Sequence, residues 1–223
     1  MSALRKKLLQ FWEQEKSLTI LLLILLVHIF IIIPFGQQTF LGKIIFLVFY
    51  ISLLTAGMFL LVRNATLRTV LIVILAALIV LGSDFLFKSV SFEILDDFIV
   101  VLYCILLSVV VLLRTFSKGP VTIHRIQGAV VVYLLIGLIF ASLYHSIYLL
   151  NGEAAFKGLS SADRKEFMYF SLTTLTTVGY GDISAAIASG RSLSNFEALI
   201  GQLYPAILIA RLVSMEFESS KNK

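Results

Sequence analysis

Charged residues are scarce in this chain of 223 residues: Asp, Glu, Lys and Arg together make up 14% of it, whereas 59% is hydrophobic. Soluble domains usually carry about a quarter charged residues. The shortage excludes an ordinary soluble domain, because long apolar surfaces would face water. The sequence therefore predicts that lipid is the solvent for much of the chain.

Cysteine occurs once, at Cys104, which excludes an internal disulfide. No partner residues support a metal or redox role for it, so we expect a small buried hydrophobe. The catalytic patterns H-E-x-x-H and G-x-S-x-G are absent as well. We therefore expect no enzymatic activity and no cofactor. The formal net charge is +5. In a membrane protein, an excess of basic residues usually reflects the positive-inside rule, so we expect no nucleic-acid partner.

Six apolar runs approach the roughly 20 residues that a helix needs to cross about 30 Å of hydrocarbon. They cover residues 18–35, 44–62, 69–87, about 98–113, 129–150 and about 193–213. The fourth run is short, and an extension back through Asp96 and Asp97 stays open. Glu197 and Arg211 interrupt the sixth. Because backbone groups in lipid must pair internally, these runs are predicted to be helices.

The basic residues predict the orientation of these helices. If the N-terminus lies inside, the inner segments hold twice as many Lys and Arg residues as the outer ones, as the positive-inside rule requires. We therefore expect a multi-pass cell-membrane protein with both termini cytoplasmic. Residues 1–17 place apolar side chains on one helical face beside basic ones. They are predicted to lie on the inner membrane surface in contact with lipid, with a solvated tail as the alternative.

A longer stretch, residues 151–192, separates the fifth and sixth runs. Within it, residues 164–176 are too short to cross the membrane and are predicted to form a half-helix that enters from outside. Non-helical backbone at membrane depth is tolerated only where it is buried in protein or lines a water-filled path. This stretch therefore predicts a pore.

The half-helix leads into the sequence TTLTTVGYGD, residues 173–182. This sequence resembles the selectivity filter of potassium channels. A dehydrated potassium ion needs neutral oxygens in place of water, and backbone carbonyls aimed at one axis supply them. Aiming successive carbonyls the same way requires alternating backbone handedness, which glycine adopts freely at Gly179 and Gly181.

The resemblance implies a role for each residue of this segment. K+ is expected at Thr177, Val178, Gly179 and Tyr180, and Gly181 completes the filter. The side chains of Val178 and Tyr180 are expected to pack behind the filter, away from the axis. The expected supports of the filter are Tyr169, Thr173, Thr176 and Asp182. Several prokaryotic relatives have a glutamate where Thr173 stands, so we expect the Tyr169 hydroxyl to reach Asp182 instead.

One loop supplies a quarter of such a cage, so the resemblance implies a homotetramer. Gly190 and Arg191 match a pair that opens the inner helix in some relatives. Gly201 stands where relatives have a hinge, with a close helix–helix contact as the equal alternative. Pro205 frees a backbone carbonyl and is the second candidate for a bend that gates the pore.

The predicted fold is an all-α membrane protein with six transmembrane helices, a re-entrant pore helix and a filter loop. Its predicted parts are an amphipathic segment (1–17), a four-helix domain (18–114), a cytoplasmic linker (115–128), a pore domain (129–215) and a cytoplasmic tail (216–223). The fourth run carries one basic residue, Arg114, at its inner end. A voltage sensor needs several charges, because each contributes about 2.3 kcal/mol per 100 mV, so we expect weak or absent voltage dependence.

Three other functions compete with a potassium-selective channel. A non-selective cation channel would share the architecture but usually alters the Gly-Tyr-Gly run. A membrane enzyme or scaffold lacks clustered catalytic residues here. A potassium uptake transporter carries four degenerate filter repeats in one chain, whereas this chain has one. The roles of His28 and His145 within apolar runs stay open between a hydrogen-bonded core residue and a pH-sensitive group.

Overall fold

The computed structural model describes residues 16–35, 90–116 and 121–221, and most of them are helical. The helices are α1 (Lys16–Val27), which continues through a π-helical turn (His28–Ile32) into α2 (Ile33–Phe35), then α3 (Val90–Thr115), α4 (Ile123–Asn151), α5 (Arg164–Leu175) and α6 (Ala188–Lys221). A 3-10 turn (Gly152–Ala155) follows α4, and two short strands, β1 (Phe156–Lys157) and β2 (Ser184–Ala185), flank α5.

Among the residues that the structure describes, three helices are long and apolar enough to cross a membrane: Val90–Thr115, Ile123–Ala155 and Ala188–Phe217. They correspond to the fourth, fifth and sixth apolar runs. The first run forms a shorter apolar helix, Leu18–Ile32, in which His28 is buried. The predicted spans at 44–62 and 69–87, and nearly all of the 1–17 segment, lie outside the described residues.

The helix ends differ from the predicted ones. The fourth run extends back through Asp96 and Asp97, as the sequence had left open. Both α4 and α6 begin earlier than the apolar runs, at Ile123 and Ala188. α6 also continues through Lys221, into the segment predicted as a tail. The apolar runs mark only the part of each helix that suits lipid. The backbone hydrogen bonds of the helix continue into the polar residues beside that part.

The described residues fall into two compact units. One contains residues 16–35, 106–116, 121–132 and 212–221, and the other contains residues 90–105 and 133–211. The second unit holds α5, both strands and the predicted filter.

An aromatic cluster forms the core of the second unit, where α5 packs on α4. The ring centroids of Tyr144 and Phe170 lie 4.8 Å apart, edge to face. Phe156 of β1 lies 5.6 Å from both Phe167 and Phe170. Such pairs contribute about 0.5–1.5 kcal/mol each beyond their buried area. The cluster therefore holds α5 against α4 and against β1.

The two strands connect the segment that precedes α5 with the segment that follows the predicted filter. β1 pairs antiparallel with β2, so that Phe156 lies opposite Ala185, and the Ala186 amide donates to the Ala155 carbonyl at 2.9 Å. The chain that enters α5 is therefore joined to the chain that leaves the predicted filter.

Candidate functional site

The C-terminal end of α5 determines how the predicted filter begins. The last four carbonyls of a helix have no partner within the helix. Here each accepts a hydrogen bond: Leu172 from the Thr176 amide at 3.0 Å, Thr173 from the Gly179 amide at 3.1 Å, Thr174 from the Thr177 amide at 2.9 Å and Leu175 from the Tyr133 hydroxyl at 3.0 Å. Two of the donors are loop amides, so the loop is attached directly to the helix end.

Backbone handedness alternates along the loop. Thr177, Gly179 and Gly181 have positive φ angles of 59°, 53° and 81°, whereas Val178 and Tyr180 between them do not. Thr177 is the one non-glycine residue with a positive φ in the part of the chain that the structure describes. A β-branched residue in this region is strained by about 1–3 kcal/mol. The left-handed conformation predicted for the two glycines is present. The alternation also includes Thr177, two residues before Gly179.

Two filter side chains are exposed in the single chain. Val178 is 54% exposed and Tyr180 is 72% exposed. This chain therefore covers only part of the surface of these two side chains. The one ring contact of Tyr180 within the described residues is with Tyr169, whose ring lies parallel to it at a centroid distance of 6.4 Å.

Tyr169 and Asp182 connect α5 to the outer end of the loop. The Tyr169 hydroxyl donates to Asp182 Oδ2 at 2.7 Å, which confirms that the predicted contact forms. This bond is the main cause that lowers the pKa of Asp182, and it raises the pKa of Tyr169 to about 12. Because the pKa of Asp182 is lowered on folding, its stabilising contribution is present above its ordinary pKa. The contribution is lost as the pH falls through the folded value.

We predict that Tyr169→Phe makes the loop more sensitive to external acid. Without the hydroxyl, the pKa of Asp182 returns toward its ordinary value, so protonation begins at a higher pH. Ion flux from liposomes, followed as the external pH is lowered, should therefore decline at a higher pH than in the parent. Tyr148→Phe is the control, because the Tyr148 hydroxyl makes no hydrogen bond within the described residues. An unchanged acid midpoint in Tyr169→Phe would show that the bond does not hold the loop.

The two threonines predicted as filter supports bond to α5 rather than to the loop. The Thr173 hydroxyl donates to the Phe170 carbonyl at 3.0 Å, and the Thr176 hydroxyl donates to the Leu172 carbonyl at 2.7 Å. Thr173 nevertheless contacts the loop through its backbone carbonyl, which accepts from Gly179.

Gly158 supports the loop and was not predicted from the sequence. Its φ is 82°, and a Cβ built there would overlap the carbonyl oxygen of Asp182 and lie 2.8 Å from its carbonyl carbon. The backbone between β1 and α5 therefore packs directly against the residue that ends the filter sequence. Further along, Arg191 Nε donates to the Ala185 carbonyl at 3.2 Å, so the Gly190–Arg191 pair holds β2 to the start of α6.

Gly201 lies where α6 meets the end of α5. A Cβ built at Gly201 would overlap the carbonyl oxygen of Leu175 and lie 2.7 Å from its carbonyl carbon. This close contact accounts for a glycine at that position without a hinge. Pro205, one turn further, lies inside a continuous α6 and removes the amide that would bond to the Gly201 carbonyl. A hinge at these two residues stays a prediction.

A buried ionic cluster joins α3, α4 and the start of α5. Arg164 Nη2 lies 2.6 Å from Asp96 Oδ2 and 3.1 Å from Asp97 Oδ1. His145 Nδ1 lies 2.7 Å from Asp97 Oδ2, and both carboxylates are buried. His145 is thus a partner of a buried carboxylate.

We predict that Arg164→Met destabilises the protein by about 3 kcal/mol, because it removes a cation that lies beside two buried carboxylates, Asp96 and Asp97. Lys165→Met is the matched control, since Lys165 pairs with the exposed Asp163 at 3.5 Å and such pairs contribute less than about 1 kcal/mol. Unfolding in detergent, followed by denaturant titration, measures both. Equal losses in the two variants would contradict a structural role for the cluster.

Glu197 is the second functional candidate that the sequence did not single out. It was noted there as an interruption of an apolar run, and the structure buries it fully on α6, in contact with α4 and α5. An acidic residue inside an apolar run is the signal by which it is found.

Comparison with known proteins supports an ion channel for this part of the chain. Residues 128–218, which include most of α4, all of α5 and the loop, and nearly all of α6, match the family model described as "Ion channel". Protein LctB from Bacillus caldotenax is 39% identical over 88 residues, which cover 36% of this chain and 64% of that protein. The chain therefore spans less than two thirds of the length of this relative. No solved structure matches the chain.

Proposed function

We propose that this ion channel protein is one subunit of a potassium-selective channel that conducts K+ passively through a pore on the axis of four copies. The observation that carries the proposal is the alternating handedness at Thr177, Gly179 and Gly181, directly after the end of α5. Alternation turns successive carbonyls toward one side, where they replace the hydration shell of K+. The ion would bind at Thr177, Val178, Gly179 and Tyr180.

The lengths of the helices support a loop at membrane depth. α4 and α6 are long and apolar enough to cross the bilayer, whereas the 12 residues of α5 rise about 18 Å. A half-helix of that length reaches partway through about 30 Å of hydrocarbon and must turn back. Irregular backbone at that depth requires protein or a water-filled path around it.

The exposure of Val178 and Tyr180 supports assembly with further copies. One loop forms one side of a cage, and a ring of identical subunits closes it. A filter of carbonyls built from one loop per subunit takes four loops, as in potassium channels. A homotetramer also buries part of α6, whose large apolar side chains are mostly exposed in the single chain. The remaining apolar surface faces lipid, with both termini cytoplasmic.

The charged residues of α3 support the expectation of weak voltage dependence. Arg114, in its last turn, is the one basic residue of this helix, whereas Glu93, Asp96 and Asp97 are acidic. A single basic residue at the end of a helix moves little charge through the membrane field. We therefore expect a conductance that changes little with voltage.

We predict that liposomes holding the purified protein release K+ and that barium blocks this release. A sodium gradient in place of the potassium gradient should drive at least about tenfold less flux, which corresponds to about 1.4 kcal/mol of discrimination. The mass of the detergent-solubilised assembly should be that of four chains. Equal flux of both ions would favour a non-selective cation channel with the same fold.

A further inference from the structure

Glu197 connects α6 to both neighbouring helices. It is 0% exposed and lies in the apolar part of α6. Its Oε2 accepts a hydrogen bond from the Tyr144 hydroxyl of α4 at 2.6 Å, and its Oε1 lies 2.5 Å from Ser171 Oγ of α5. One carboxyl group therefore contacts both α4 and α5.

The hydrogen bonds around Ser171 indicate which group carries the proton. Ser171 Oγ lies 2.8 Å from the Gly137 carbonyl as well as 2.5 Å from Glu197. A hydroxyl has one proton to donate, and a carbonyl accepts only. If Ser171 donates to Gly137, the short contact with Glu197 requires a proton on the carboxyl group. An ionised Glu197 would leave one of the two contacts as a pair of acceptors without a proton between them.

The surroundings of Glu197 favour the same protonation state. An ionised carboxylate in an apolar site is costly unless a cation compensates it. The titratable groups that face it are Tyr144 and Tyr133 of α4, while α5 offers the uncharged Ser171. No ion pair to Glu197 is present within the residues that the structure describes. A neutral acid satisfies every polar atom in this group.

The contacts of α6 with α5 repeat after one helical turn. Glu197 and Gly201 lie four residues apart on α6, and they contact Ser171 and Leu175, which lie four residues apart on α5. Residues four apart share one face of a helix. The two contacts therefore determine where α5 sits along α6, and with it the position of the Thr173 and Thr174 carbonyls that hold the loop.

We infer that Glu197 is a protonated carboxylic acid that positions α5 for the filter by donating to Ser171 and accepting from Tyr144. This inference rests on the proposed function, because the positioned element precedes the proposed filter. Deprotonation would remove the bond to Ser171 and add an uncompensated charge beside α5. Glu197 is thus a positioning residue, and ion selectivity depends on its proton.

Three variants test this inference. Glu197→Gln keeps a donor for Ser171 and an acceptor for Tyr144, Glu197→Leu removes both, and Glu216→Gln changes an exposed residue of the same helix. The ratio of K+ flux to Na+ flux should stay within about twofold of the parent in Glu197→Gln and Glu216→Gln, and fall about tenfold in Glu197→Leu, the effect of losing about 1.4 kcal/mol of discrimination. Raising the pH should lower this ratio in the parent but not in Glu197→Gln.

Infrared spectroscopy detects the proton independently of transport. The parent and Glu216→Gln should show the carbonyl stretch of a buried protonated carboxyl group, and Glu197→Gln should lack it. If that band is absent from the parent, or if Glu197→Gln loses selectivity as fully as Glu197→Leu, the inference is wrong. A parent that carries the band but passes no K+ would contradict the proposed function and leave the proton on Glu197 established.

Discussion

Replacing Gly201 with alanine is expected to destabilise the protein by about 2–3 kcal/mol and to reduce ion flux at least tenfold. The added methyl group would overlap the carbonyl oxygen of Leu175, at the end of α5. Backbone atoms cannot rotate away as a side chain can, so α5 and α6 must separate. The same carbonyl accepts from Tyr133, and the neighbouring Thr174 carbonyl accepts from the loop, so the displacement reaches the start of the filter.

Gly137→Ala is the matched control for Gly201→Ala. Both glycines lie inside helices, where alanine is favoured by about 1 kcal/mol over glycine. A Cβ at Gly137 would lie 3.3 Å from Leu172 Cδ2, the end of a side chain that is free to shift slightly. We expect this variant to keep the parent's stability and flux, as measured by denaturant unfolding and liposome efflux. A Gly201→Ala protein of parental stability with altered open probability would favour the hinge over the close contact.

Replacing Gly158 with alanine is expected to reduce the ratio of K+ flux to Na+ flux at least tenfold. Two effects combine at this position: the positive φ of 82° and the overlap of a Cβ with the carbonyl oxygen of Asp182. The overlap displaces the residue that ends the filter sequence and weakens its bond with Tyr169. It also strains the adjacent pairing of β1 with β2, which holds the exit of the loop.

Gly152→Ala separates these two effects. Gly152 also has a positive φ, 68°, but a Cβ there meets nothing within 4 Å. Left-handed strain alone costs about 1–2 kcal/mol, so this variant should lose some stability and keep the selectivity of the parent. Flux measurements with K+ and Na+ gradients distinguish the variants. If both alanines change selectivity equally, contact with Asp182 is not what supports the filter.

Local features of the site could be predicted from the sequence because they depend on short separations along the chain. The half-helix predicted at 164–176 corresponds to α5 (Arg164–Leu175). It could be predicted because the composition of the sequence changes at both of its ends. Left-handed glycines at 179 and 181 follow from the chemistry of a carbonyl cage. Tyr169 lies in α5, and its partner Asp182 lies in the loop that follows α5, so the two residues are only 13 positions apart in the sequence.

Contacts between distant helices could not be predicted in this way. Asp97 and His145 are 48 residues apart, and Asp96 and Arg164 are 68 apart. Periodicity shows which face of a helix is apolar but not which residue of another helix lies opposite. Glu197 was visible only as a polar residue in an apolar run, because its partners Tyr144 and Ser171 come from two other helices.

The role of some glycines could be predicted from the sequence, whereas the role of others depends on contacts that only the structure shows. Gly179 and Gly181 belong to a motif whose conformation is known, so their role could be predicted. Gly158 lies in a polar loop, where a glycine needs no explanation beyond a turn, and its contact with Asp182 depends on how the loop folds back. For Gly201 the sequence left a hinge and a close contact equally open, and the structure supplies the contact with Leu175.

The reversal potential of the reconstituted protein, with K+ on one side of a bilayer and Na+ on the other, tests the central claim most directly. A filter of carbonyls from four copies predicts a reversal potential far from zero, on the side where the applied voltage opposes the flow of K+, as a preference of at least about tenfold for K+ over Na+ requires. A reversal potential near zero, with both ions passing equally, would contradict the proposal that residues 177–181 select potassium.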